Sequence, residues 1–272
     1  MPELPEVETT RRGIEPHVLG LKISRVVVHD PRLRWPVRDD LPQWLVNRRI
    51  EAVERRSKYV LLRFENDERL LIHLGMSGSL RLVAPGTHKK KHDHVEITFE
   101  NDTTLRYHDP RRFGALLTDH VATPHARLQG LGPEPLTPEF SKEYLIAQLR
   151  GRKTPIKPLL MNAAIVVGVG NIYANEAGFL ARIHPMRPAN TLNPSEVARL
   201  VAVIKDVLAR AIEQGGTTLR DFVQQDGQPG YFKQTLAVYD RSGAPCLQCG
   251  TPIVRCVQAQ RATYFCPVCQ PI

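Results

Sequence analysis

Cys246-Leu247-Gln248-Cys249, followed after sixteen residues by Cys266-Pro267-Val268-Cys269, is the most specific pattern in this 272-residue chain. Two Cys-x-x-Cys knuckles at that separation, flanked by Gly and Pro turns, match a four-thiolate zinc ribbon built on a β-hairpin. The expected ligands of one structural Zn2+ are therefore Cys246, Cys249, Cys266 and Cys269. Cys256 is surplus to a tetrahedral site and reads as a free thiol in the hairpin. A closed four-thiolate site does no chemistry itself, but it can fix the loop Ala259 to Thr263 and present Arg261 to a phosphate. All five cysteines fall between 246 and 269, so they are not a spread disulfide framework.

The charge balance suits a phosphate-facing hairpin. The 37 Lys+Arg against 28 Asp+Glu give a formal net charge of +9, which favours a polyanionic partner such as nucleic acid. With 42% apolar and 24% charged residues, the composition is that of an ordinary globular protein, long enough for one large or two medium domains. Apolar runs such as Ala163 to Val167 fall far short of the roughly 20 residues a membrane span needs. The acidic N-terminus lacks the basic start of a secretory signal. The expectation is a soluble cytoplasmic protein with no membrane partner.

Upstream of the cysteines, Thr217 to Phe232 is polar and rich in glutamine, with Asp226-Gly227 and Pro229-Gly230 turns. A long polar loop inside a compact protein is usually functional or mobile. The strongest helix precedes it, with Asn193 as N-cap, Pro194 in the first turn, Glu196 completing a capping box, and Val197, Leu200, Val201, Ile204, Val207, Leu208 and Ile212 on one face. Further helices are expected over Lys142 to Leu149, Pro158 to about Val166 and Asn171 to Ala181. The turn Val167-Gly168-Val169-Gly170-Asn171 does not continue into G-x-G-x-x-G, because residue 173 is Tyr, so a dinucleotide site is excluded. It reads either as a close helix pair or as a helix N-terminus whose N–H groups, with Asn171, hold a phosphate. The Pro- and Gly-rich stretch from Ala122 to Pro138, clearest at Leu131 to Pro135, marks an interdomain linker.

From Lys22 to about Thr118 the pattern is of short strands: Ile23 to Val28, Tyr59 to Phe64, Leu70 to Leu74, Val95 to Phe99 and Thr104 to Tyr107. Turn clusters separate them, and a short helix interrupts near Leu41 to Val46. This indicates an antiparallel sandwich or barrel. Several segments carry more chemistry than a sandwich needs. Arg55 to Tyr59 places Lys58 among other cations, either as a basic strand edge or as a phosphate contact. His73-Leu74-Gly75-Met76-Ser77-Gly78 lifts Met76 on a turn, as core or as an apolar wedge. Asp109-Pro110-Arg111-Arg112-Phe113-Gly114 combines arginines with an aromatic ring, suited to stacking and phosphate contact or to burial of Phe113 at a strand start. The run His88-Lys89-Lys90-Lys91-His92 is a solvated loop or a further phosphate contact.

The chain opens Met-Pro-Glu-Leu-Pro-Glu-Val-Glu. A helix from about Pro5 to Gly13, with Leu4, Val7 and Ile14 inward and Pro16 and Gly20 ending it, explains these residues structurally. A chemical reading stands beside it. With Met1 removed, Pro2 offers a free secondary amine next to the carboxylate of Glu3. An α-amino group titrates near ~7.8 against ~10.4 for lysine, so a terminal amine is a ready Schiff-base nucleophile at neutral pH.

Taken together, Pro2 to Glu6, Lys58, the turn from His73 to Gly78, Asp109 to Gly114, the turn from Gly168 to Tyr173, the segment from Gly215 to Phe232 and the four cysteines resemble the bacterial formamidopyrimidine-DNA glycosylases over nearly the whole chain. The related endonuclease VIII enzymes typically begin Pro-Glu-Gly-Pro-Glu. Leu4, with Met76, Arg111 and Phe113, favours the purine-lesion branch here.

The resemblance implies an α+β protein of two domains: an N-terminal antiparallel β-sandwich with its opening helix (1–130), a linker (131–138), a helical domain with a helix-two-turn-helix (139–240) and a zinc finger (241–272), with DNA in the cleft between the domains. It implies a monomeric bifunctional DNA glycosylase and AP lyase that removes oxidised purines from double-stranded DNA without a catalytic metal. Pro2 would attack C1′ and Glu3 would act as the acid. Glu6 would orient the opening helix. Lys58, Asn171 and Arg261 would grip phosphates beside the lesion, with His92 a further DNA contact. Met76, Arg111 and Phe113 would fill the gap left by the extruded base. Lys157 and the loop from Thr217 to Phe232 are the candidates for touching that base. The rivals are a pyrimidine-lesion glycosylase and a non-catalytic zinc-finger DNA-binding protein.

Overall fold

The computed structural model describes residues 2–215 and 236–272, and Met1 and most of the glutamine-rich segment lie outside them. Two compact units divide near residue 130. In the first, helix α1 (Leu4–Val18) precedes eight strands, β1 (Ile23–Val28), β2 (Ala52–Arg56), β3 (Tyr59–Arg63), β4 (Glu68–His73), β5 (Ser79–Val83), β6 (Asp93–Phe99), β7 (Thr104–His108) and β8 (Ala115–His120), with a short helix α2 (Leu41–Leu45) after β1. The strands form two antiparallel sheets, ordered β1-β6-β7-β5 and β2-β3-β4-β8. Both sheets contribute to a single core. Val95, Ile97, Phe99 and Leu105 come from the first, Val60, Leu62, Leu70 and Ile72 from the second, and Val7 and Ile14 from α1. This is the expected sandwich.

Helix α1 outlasts its expected end and runs through Pro16. A proline in the last turn removes one hydrogen bond, to a carbonyl on the exposed side at Arg12, so the helix continues one turn further. Ion pairs fix its orientation: Glu8 meets Arg11 at 3.0 Å, Arg12 at 2.9 Å and, on β2, Arg55 at 3.1 Å. Arg11 also donates to the Val53 carbonyl at 3.0 Å.

The second unit contains helices α3 (Lys142–Leu149), α4 (Ile156–Leu160), α5 (Asn171–Leu180) and α6 (Pro194–Glu213), then the hairpin β9 (Val254–Gln258) and β10 (Arg261–Phe265). The capping box on α6 forms as expected, with the Asn193 side chain accepting from the Ser195 and Glu196 N–H groups and Glu196 accepting from Asn193 N–H at 2.8 Å. Such a cap contributes about 1 kcal/mol. The helix expected over Pro158 to Val166 is instead confined to α4. The Asn162 side chain accepts the Ala164 N–H at 3.0 Å, a turn that competes with helix, and Ile165, Val166 and Val167 enter the core as irregular chain. Helix α5 buries residues on every side, including Asn175 and Glu176. A helix buried all round is core scaffold, and its polar side chains must find partners.

Candidate functional site

The N-terminus of α1 holds the first pair of predicted residues. Pro2 is buried and Glu3 is only 2% exposed. Glu3 is the N-cap, and its N–H donates to Glu6 Oε2 at 2.8 Å, so Glu6 orients the helix start. Pro2 thus sits at the positive end of a 15-residue helix. A positive helix end disfavours a cation, which increases the share of neutral amine at a free Pro2 terminus.

Lys58 lies in the two-residue turn Ser57-Lys58 that joins β2 to β3, with Ser57 at φ +56. One residue on, Tyr59 faces His73 across the β3–β4 ladder, and the rings lie 4.9 Å apart. His73 Nδ1 accepts the Gly75 N–H at 3.0 Å, which leaves the ring proton on Nε2 when the imidazole is neutral. Burial, with Lys58 and Arg34 nearby, pushes this imidazole down to about 4, against an opposing pull from Asp109. At neutral pH His73 is an uncharged donor beside a cation.

The turn carrying Met76 and the loop carrying Arg111 and Phe113 are fastened together by Asp109, which is fully buried. Asp109 Oδ1 accepts from Ser77 Oγ at 2.9 Å, and Oδ2 accepts from Gly114 N at 2.8 Å and from the Tyr107 hydroxyl at 3.3 Å. Ser77 Oγ in turn accepts the Arg111 N–H at 3.2 Å. A Cβ on Gly75, where φ is +64, would collide with the Phe113 and Gly114 backbone, so the two segments touch main chain to main chain. The predicted trio is thereby brought together. Met76 is half-buried, Phe113 is 45% exposed and Arg111 stacks 5.1 Å over the Phe113 ring. Leaving a phenylalanine side chain in water forgoes roughly 1.5–3 kcal/mol of burial, which marks Phe113 as a contact residue rather than a strand-start core residue. His92 joins the same knot through its carbonyl, which accepts the Asp109 N–H at 3.0 Å.

In the second unit, α4 and α5 hold the hairpin by their polar side chains. Lys157 is buried, and its Nζ donates to Thr263 Oγ1 at 2.7 Å and to the Ala262 carbonyl at 3.3 Å. Asn171 Nδ2 donates to the same carbonyl at 2.9 Å. Asn175 Oδ1 accepts the Tyr264 N–H at 2.8 Å. Glu176 accepts three backbone N–H groups, from Ala237, Val238 and Tyr239, at 2.7–2.9 Å, and burial raises its carboxyl. Arg261, exposed at the first position of β10, therefore stands next to a doubly held carbonyl. The hairpin turn is shorter than expected: only Ala259 and Gln260 lie outside the strands, both with positive φ.

The four predicted ligands converge. The sulfurs of Cys246, Cys249, Cys266 and Cys269 all lie within 4.8 Å of one another, with 3.9 Å for Cys246 to Cys269 and 3.5 Å for Cys249 to Cys266. A tetrahedron with roughly 2.3 Å Zn–S bonds has edges of about 3.8 Å, so the set fits Zn2+. The first sulfur of each knuckle accepts a backbone N–H at 3.4 Å, from Gln248 and from Cys269, which stabilises thiolate. Cys256 stands apart on β9, opposite Thr263.

Comparison with known families places these features. The profile described as the formamidopyrimidine-DNA glycosylase N-terminal domain matches residues 1–116, that of the formamidopyrimidine-DNA glycosylase H2TH domain residues 131–223, and that of the zinc finger found in FPG and IleRS residues 243–272. The chain belongs to the formamidopyrimidine-DNA glycosylase family. The formamidopyrimidine-DNA glycosylase of Methylococcus capsulatus is 57% identical over 272 residues, covering 99% of this chain and all of that protein. The crystal structure of MutM (FPG) from Thermus thermophilus superimposes with a TM-score of 0.86 at 43% identity, covering 99% and 98% of the two chains. A Lactococcus lactis FPG variant in complex with Fapy-dG-containing DNA superimposes with a TM-score of 0.93 at 35% identity over the whole of both.

Within this formamidopyrimidine-DNA glycosylase framework, the structure brings Met76, His92, Arg111 and Phe113 around Asp109, sets Lys58 beside His73, and brings Lys157, Asn171 and Arg261 around Ala262. Most of the expected loop from Thr217 to Phe232 lies outside the described residues. His73, Asp109, Asn175 and Glu176 escaped the sequence reading. Their only signal was polarity in the wrong place: two polar residues in the otherwise apolar stretch from Ile172 to Phe179, and an acid at the end of a strand.

Proposed function

We propose that this chain excises oxidised purines, 8-oxoguanine and formamidopyrimidines, from double-stranded DNA and then cleaves the strand as an AP lyase, acting as a monomer in the cytoplasm on nucleoid DNA. The observation that carries this reading is the buried Pro2-Glu3 pair at the N-terminus of α1, in a chain of this family. Once Met1 is removed, the Pro2 nitrogen attacks C1′ of the damaged nucleoside. The bond from C1′ to the base breaks, and the base leaves with a proton. Loss of the C1′–O4′ bond, assisted by a proton from Glu3, gives an iminium between Pro2 and the sugar. Abstraction of a C2′ proton then expels the 3′ phosphate, and a second elimination expels the 5′ phosphate. Water hydrolyses the remaining iminium and restores the amine.

Lys58, Asn171, Arg261 and His92 serve as backbone contacts in this scheme, which their cationic or donor character supports. Met76, Arg111 and Phe113 occupy the gap that an extruded base leaves. Lys157 is better placed to hold the hairpin under Arg261 than to touch the base, given its bonds to Thr263 and Ala262. One structural zinc, bound by the four cysteines, stabilises the hairpin when present. We assign residues 1–130 to the catalytic domain, 131–138 to the linker, 139–240 to the helical domain and 241–272 to the finger.

Borohydride reduction in the presence of an 8-oxoguanine duplex is expected to trap a covalent complex, with the adduct on Pro2 by mass spectrometry. Pro2→Gly, or a chain that retains Met1, should lose strand cleavage. An undiminished trap with a blocked terminus would move the nucleophile to a lysine, and no trap with retained binding would favour a non-catalytic DNA-binding protein. Competition between 8-oxoguanine and thymine-glycol duplexes decides against the pyrimidine-lesion alternative if the former is preferred.

A further inference from the structure

Most arginines of the first unit are neutralised locally, as Arg55 is by Glu8, Arg69 by Asp119 and Arg112 by Asp30. Even the two that lie over the Trp44 ring, Arg38 and Arg48, are ion-paired, with Asp40 and Glu68. Arg34 and Arg127 differ. Both are exposed, no ion pair engages either among the described residues, and both lie over one indole, that of Trp35, at 4.7 and 4.2 Å from its centroid. Arg111 over Phe113 has the same unneutralised, ring-stacked character.

These stacked arginines lie close together. The Arg34 N–H donates to the Gly114 carbonyl at 3.2 Å, next to Phe113. The charges of Arg34 and Arg127 both act on the Tyr59 hydroxyl, and Arg34 acts with Lys58 on His73. A guanidinium laid on an aromatic ring loses water from one face while keeping its full charge and its in-plane N–H fork. With no carboxylate to take that fork, it is prepared for an anion from outside. The two guanidinium carbons are at most about 9 Å apart, judged from their distances to the shared centroid. Charges on one DNA strand recur every ~3.4 Å along the axis, so such a pair can take one phosphate from two sides or two in succession.

We propose that Arg34 and Arg127, held over Trp35, form a phosphate clamp that grips the DNA backbone outside the lesion, extending the interface of the first unit from Lys58 and Phe113 to the Trp35 platform. This rests on the reading that the chain acts on DNA. The clamp carries no base contact, so it adds affinity without sequence preference.

The test is the salt dependence of binding to a duplex with a tetrahydrofuran abasic analogue, measured by fluorescence anisotropy for the wild type and for Arg34→Gln/Arg127→Gln. Each lost phosphate contact flattens the slope of log K against log[salt] by ~0.9, so the double variant is expected to lose about 1.8. Trp35→Leu, which keeps both charges but frees them, should lose part of that slope, and Trp35→Phe should keep it. A double variant with the wild-type slope overturns the clamp while leaving the DNA reading intact. A wild type that does not bind the duplex overturns the DNA reading itself. If the double variant unfolds, Arg127→Gln alone reads the same effect as a loss of about 0.9.

Discussion

His73 shows how one side chain ties the site to stability. Its imidazole is pushed from the ordinary 6.5 to about 4 by burial and by the nearby cations Lys58 and Arg34. Between those values the unfolded chain takes up a proton that the folded chain does not, so acid favours unfolding. The contribution is fully present above about pH 6.5 and is lost as pH falls to about 4, with a slope of at most about 1.4 kcal/mol per pH unit. Urea denaturation of the wild type and His73→Gln at pH 7, 6, 5 and 4.5 checks this, because the difference between the two curves should shrink over that window. A difference independent of pH would mean that His73 is not neutral in the folded state. Nothing in the local sequence signalled His73, since its neutrality depends on β3 setting Tyr59 and Lys58 beside it.

Among the elements, the two loops joined by Asp109 behave as one rigid piece. Asp109→Ala strips the acceptor from Ser77, Gly114 and Tyr107 at once. Buried donors left unsatisfied cost about 1–3 kcal/mol each, with partial relaxation, so a loss of about 3 kcal/mol in denaturant unfolding is expected. Asp109→Asn keeps one carbonyl oxygen but turns an amide against a donor, and should fall between. Because Met76, Arg111 and Phe113 all hang from this piece, both variants should also blur discrimination between bases opposite the lesion, read as the ratio of cleavage rates for 8-oxoguanine opposite C and opposite A. In the helical unit, Lys157→Met should weaken DNA binding through Arg261, which anisotropy with the same duplex measures. Elements with a plain apolar period were legible from sequence: β1, α3 and the start of α6 lie where expected. Strands β2, β5 and β8 were not, because Glu54, Arg55, Arg56, Arg81 and Asp119 make them look like loop. Their charges are absorbed by partners distant in sequence, Arg55 by Glu8, Arg81 by Asp93 and Asp119 by Arg69.

For the whole molecule, the two ends of the chain decided what the middle could not. The spacing of four cysteines fixed the metal site before any coordinates, because ligand geometry leaves little freedom. How the hairpin attaches was invisible, since it depends on Lys157, Asn171, Asn175 and Glu176 reaching across 61 to 106 residues of chain. That separation of roles makes a prediction at this scale. The small cluster under the finger, Phe179 with Val238, Ile253 and Tyr264, is too slight to hold the hairpin alone, whereas the sandwich has its own large core. Structural zinc in comparable fingers contributes on the order of 10 kcal/mol to folding, so its removal should release the hairpin and leave the sandwich standing. Treatment with a strong chelator, or Cys249→Ser, is therefore expected to raise hydrogen exchange across 246–270 to the level of unfolded chain while amides of β3, β4 and β6 stay protected. Duplex affinity should fall at least tenfold in the same samples, because Arg261 and the Ala262 carbonyl lose their fixed position. Protection lost across both units together would show that zinc stabilises the chain as one cooperative body, and unchanged exchange in the hairpin would remove the metal from its folding altogether.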